Sequence, residues 1–64
     1  MNILKRKQRG DTTNEYILIY TGIESLQRFC VGTASPESLA QGSWFWGHYF
    51  ELIDDALAYF NSAD

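Results

Sequence analysis

The 64 residues include one cysteine, one histidine and one proline. A lone Cys30 excludes an intrachain disulfide, and with only His48 to accompany it no four-ligand zinc site can form. No apolar run approaches the roughly 20 residues that span a bilayer, so no membrane partner is expected. Residues 1–9 begin basic but lead into no apolar segment of the secretory type. Together with a free thiol, this predicts a cytoplasmic chain. The parts of an active site are missing as well. There is no nucleophile–base pair and no pair of carboxylates set for a cleft, and Gly42-Ser43-Trp44 lacks the spacing and the lysine of a phosphate loop. Neither an enzyme nor a cofactor is expected.

Positive charge is scarce after residue 9. Lys5, Arg6, Lys7 and Arg9 put +4 into the first nine residues, whereas the remaining 55 carry eight acids against Arg28 alone, a charge of −7. Aromatics are abundant, ten in all, and five of them fall between Trp44 and Phe50. A chain this short buries only about 60% of the surface its unfolded form exposes. Without a disulfide or a metal, bulky aromatic side chains or self-association must supply the missing burial.

Residues 1–14 are polar apart from Ile3 and Leu4. They read as a basic, mobile arm with at most a short strand at residues 3–5, and their first nine are expected to be dispensable for folding. Residues 15–64 read as one domain. The run EYILIYT (15–21) is apolar on both faces and predicts a central strand. A turn over 22–27 leads to QRFCVGT (27–33), which alternates, so the two form an antiparallel hairpin. Ser35 before Pro36 predicts a capped helical turn over 36–40. A third strand over 44–50 sets Trp44, Trp46, His48 and Phe50 on one face and Phe45, Gly47 and Tyr49 on the other. Ile53, Ala56, Leu57 and Phe60 then form the stripe of an amphipathic helix, with Glu51, Asp54 and Asp55 near its positive end. The predicted fold is α+β: a three-stranded antiparallel sheet with one C-terminal helix on one face.

That layout covers only one face of the sheet. Trp46 and Phe50 are expected to pack on Ile53, Leu57 and Phe60, leaving Phe45 and Tyr49 partly exposed. Those two, with Glu51, Asp54 and Asp55, are the candidate protein-binding residues. Lys5, Arg6, Lys7 and Arg9 are the candidate nucleic-acid contacts, since four cations can meet four phosphates. The acidic body opposes that role. The acids Glu24, Glu37, Glu51, Asp54, Asp55 and Asp64 are too few for strong mimicry of nucleic acid and read as ordinary surface charge. His48 has no Ser, Cys or second His at a useful spacing, and Cys30 reads as a small buried residue with Arg28 on its own face.

The segment WGHYFELIDDALAYFN (46–61) resembles the C-terminal end of very short accessory proteins of phages and mobile elements of Gram-positive bacteria. In those, a strand with a glycine-aromatic pattern runs into an acidic helix that ends in an aromatic region and Asn. Leu52 departs from the pattern, standing where a Ser, Thr or Asp cap belongs. The resemblance implies an accessory protein of the anti-CRISPR type, which occupies a site on a host nuclease. The expected function is therefore a non-catalytic interaction protein that binds and inhibits a host protein. A homodimer is favoured, and a small nucleic-acid-binding module is the alternative.

Overall fold

The run EYILIY forms a strand, β2 (Glu15–Tyr20), and lies inside a sheet, as a run apolar on both faces requires. The structure, a computed structural model, describes residues 2–22 and 26–63. β1 (Asn2–Gln8), β2, β3 (Phe29–Ala34) and β4 (Phe45–Phe50) pair antiparallel in the order β1-β2-β3-β4. A short helix, α1 (Pro36–Ala40), joins β3 to β4, and α2 (Ile53–Ser62) follows β4. The architecture is the expected α+β sheet with a C-terminal helix, but with four strands. Residues 23–25 of the expected turn lie outside the described residues.

The first correction is β1. The stretch read as an arm, with at most a short strand at residues 3–5, is a seven-residue edge strand that pairs from Asn2 opposite Tyr20 to Gln8 opposite Glu15, with one register shift between Ile3 and Lys5. Its charges are held down by aromatic rings and by one acid. On the α2 side, the Lys7 ammonium lies 4.9 Å from the Phe60 ring centroid and donates to the Ala63 carbonyl at 2.6 Å. Lys5 lies 5.9 Å from the same ring. On the far side, Arg6 donates twice to the Glu15 carboxylate, at 2.7 and 2.6 Å. Ile3 packs against the core. Apolar stems and cation–π contacts thus let a run of cations serve as a strand. Lysines on an edge also discourage a further strand from adding there.

The second correction is β4. Val31 pairs with His48 but Thr33 pairs with Phe45, so one extra residue is inserted and the register shifts. Trp46 takes it up at φ 55°, a left-handed conformation costly for a side chain this large. The insertion reverses the alternation on its N-terminal side. Phe45 now shares a face with His48 and Phe50, while Trp44 passes to the opposite face. Trp46, expected in the core, is 67% exposed.

Both faces of the sheet are covered, where only one was expected to be. Leu18, Val31, Ala56 and Phe60 form the core beneath α2, flanked by Tyr16, Phe29, Phe50 and Leu57. Ile53 of the predicted stripe stays at the margin, 36% exposed. On the other face Ile17, Ile19, Cys30 and Ala34 are buried under Leu39 of α1, Ile3 and Trp44. Trp44 fits because Gly32 and Gly47 leave room for its ring. A Cβ on Gly32 would lie 2.6 Å from Trp44 Cδ1, and one on Gly47 2.9 Å from Cys30 Sγ. α1 starts as its sequence predicts, with Ser35 and Ser38 exchanging side-chain and backbone hydrogen bonds in a capping box. α2 starts at Leu52 with no side-chain cap, so its hold is the packing of Ala56, Leu57 and Phe60.

Candidate interaction site at the β4 bulge

The turn between β1 and β2 fixes the backbone of Arg9. Its amide donates to the Asn14 carbonyl at 2.9 Å, and its own carbonyl accepts from the Thr12 hydroxyl at 2.7 Å. Gly10, at φ 56°, allows the chain to reverse there. From this anchor the Arg9 side chain crosses the end of the sheet. Its guanidinium carbon lies 5.2 Å from the Tyr16 ring centroid on β2 and 5.2 Å from that of Trp46 on β4. Between them it donates to the Thr33 hydroxyl of β3 at 3.3 Å. Trp46 in turn meets Phe45 edge-on at 4.9 Å. One cation therefore ties three strands together.

Beside this stack is an open hollow of about 100 Å³, floored by Val31, Gly32 and Thr33 and walled by Arg9, Tyr16, Trp46, His48 and Tyr59. His48 rests against Tyr59 of α2, ring centroids 4.8 Å apart, and Tyr59 also meets Phe50 at 5.5 Å. Thr33 is the buried polar residue of the core, 2% exposed. The hollow is rich in donors and no carboxylate lines it.

The residues expected to bind a protein do not converge. Phe45 is half-buried on the α2 side of the sheet, while Tyr49, 48% exposed, pairs with Cys30 on the other side. The bulge separates them. Glu51, Asp54 and Asp55 are exposed around the start of α2. Glu24 and Asp64 of the acidic set lie outside the described residues. The four basic residues are also divided. Lys5, Lys7 and Arg9 lie over aromatic rings on the α2 side, whereas Arg6 is paired with Glu15 on the other. The Arg6 hydrogen bonds hold the Glu15 carboxyl below the usual carboxylate range, and Glu15 raises Arg6 in return. Cys30 is buried, and burial pushes its thiol up from the ordinary value, outweighing contacts to Trp44 and Tyr49 that act the other way.

Tyr16, Thr33, Trp46 and Tyr59 were not expected as site residues. The one local signal for their meeting was Gly47, a glycine inside an aromatic strand, which is a mark of a bulge. Among the described residues, no group of three or more His, Cys, Asp or Glu could hold a metal ion, and no helix is long and apolar enough to cross a membrane. No protein-family model, curated protein or solved structure matches the chain.

Proposed function

We propose that this chain is a non-catalytic module that binds another protein through the surface around Trp46. The observation that carries the proposal is Trp46 itself: a large aromatic residue held in a strained backbone conformation and two-thirds exposed, with an arginine stacked on it. Strain of this kind costs on the order of 1–3 kcal/mol and tends to persist where function requires it. Trp and Arg are also the side chains most enriched at interface hot spots. The resemblance of residues 46–61 to phage accessory proteins gives the proposal its finer form, an inhibitor that occupies a site on a host nuclease.

The placement of the basic residues favours a protein over nucleic acid as partner. A polyanion is met by a row of free cations along its backbone. Here Arg6 is neutralised by Glu15, and Lys7 is engaged by the Ala63 carbonyl and two rings. Pairing of two copies belongs to the same proposal. The β1 edge is blunted by charge, so β4 is the edge on which a second sheet would add.

The test is capture of a partner from a Gram-positive host lysate on immobilised protein, with and without nuclease and high salt (about 0.5 M). The expected result is nuclease-resistant capture of one defined protein, abolished by Trp46→Ala and retained by Tyr49→Ala. Retention that depends on nucleic acid would overturn the proposal. Sedimentation equilibrium reads the pairing, and a single 7.4 kDa species at all concentrations would refute it.

A further inference from the structure

On the premise that the chain binds a protein, we infer that the hollow beside Trp46 receives a carboxylate from that partner, an Asp or Glu side chain, with an apolar neighbour of that residue lying on the Trp46 ring. The hollow offers donors that have no acceptor among the described residues. Arg9 presents five N–H groups, of which one makes a long bond to Thr33, and among the described residues it has no carboxylate partner. Thr33 accepts that bond, and its own O–H proton has no acceptor among the described residues. An ionised carboxylate supplies acceptors alone, and it meets a guanidinium through two parallel hydrogen bonds.

Size and charge narrow the ligand further. At about 100 Å³ the open hollow has room for a carboxylate with its methylene. Only Arg9 among the four basic residues lines it, which suits one isolated anion rather than a run of phosphates. Tyr16 and Trp46 hold the guanidinium between them and so pre-order it for a planar ligand. His48 and Tyr59 form the opposite wall. The exposed indole at the rim provides the apolar contact beside the charge.

The test is a titration of the intact protein with sodium acetate, followed by nuclear magnetic resonance on the Arg9 Nε–H, the Trp46 indole N–H, the Thr33 amide and His48. Sodium chloride and inorganic phosphate at matched ionic strength are the parallel arms. Acetate is expected to saturate with a Kd of roughly 1–10 mM, as one or two charge-assisted hydrogen bonds give, with chloride producing no saturation. Arg9→Gln should weaken acetate at least tenfold. Thr33→Val, which leaves the guanidinium in place, should weaken it about threefold and serves if Arg9→Gln fails to fold. Acetate shifts no larger than those of chloride, or shifts centred on Lys5 and Lys7, would overturn the inference. Tenfold tighter binding of phosphate would overturn the carboxylate assignment. Failure of acetate with Trp46-dependent capture intact would sink the pocket and leave the protein-binding role standing. Acetate binding with no protein captured would do the reverse.

Discussion

The two edge strands are opposites in composition. β1 is nearly all polar and charged, NILKRKQ, while β4 is nearly all aromatic, FWGHYF. By hydropathy the first should leave the sheet and the second should be its most regular strand. Instead β1 pairs from Asn2 to Gln8 with one register shift near its start, between Ile3 and Lys5, while β4 is broken in its middle by an inserted residue that turns Trp46 outward. The difference shows that each edge is shaped by what lies on it. β1 is held because the rings of Phe60 and Tyr16 accept its lysines. β4 is bent because Trp44 takes the space over Gly32 and Gly47, and the extra residue turns Trp46 outward to meet Arg9. The charged edge and the aromatic edge then meet in one cation–π stack across the end of the sheet.

Removing residues 1–9 should have the largest effect on this pairing of edges. A core of this size rarely supplies more than about 3–5 kcal/mol. The deletion takes away a whole strand, the ring-bound cations and the Ile3 contact. We expect loss of the cooperative thermal transition, measured by circular dichroism. A transition that survived would return residues 1–9 to the arm that their composition suggests. Gly47→Ala on the other edge should cost about 1–3 kcal/mol, because Cys30 Sγ and Trp44 leave no room for a methyl. Urea titration measures it, and an unchanged midpoint would show that Trp44 does not lie on that glycine.

At Trp46 the two edges can be separated. Trp46→Gly removes the left-handed strain and Trp46→Ala keeps it, so the glycine variant should be more stable by about 1 kcal/mol. Equal stability would mean that the left-handed backbone at Trp46 stores no strain. The smallest effect belongs to Glu15. Its carboxyl titrates below the ordinary range in the folded chain, so the Arg6 pair contributes fully above about pH 4.3, the unfolded value. That contribution is lost as the pH falls through the lower folded value. In Glu15→Gln the acid limb of the stability profile should be slightly shallower over that window. An identical profile would mean that the exposed pair adds nothing measurable, as many surface pairs do.

Much of the centre was legible in the sequence. β2 announced itself by being apolar on both faces, Ser35-Pro36 by its cap, and α2 by the stripe that includes Ala56, Leu57 and Phe60. The edges were not. A hydropathy pattern sees the charge of Lys5 and Lys7 but not the stems and rings that make them strand residues. The alternation from Trp44 to Phe50 is unbroken on paper, so nothing but Gly47 hinted that its parity changes midway. The candidate site was hidden for the same reason. Arg9, Tyr16, Thr33 and Trp46 come from four separate segments, and only the register brings them together.

The most direct test of a binding role for Trp46 is the affinity of Trp46→Gly for the captured partner. This variant keeps the bulge, and the relief of strain offsets the loss of the Phe45 and Arg9 contacts to Trp46, so affinity is read on protein first shown to be folded. If Trp46 is an interface anchor, its loss should weaken binding by at least about thirtyfold, the threshold of a hot spot. Unchanged affinity in a folded Trp46→Gly protein would contradict the account.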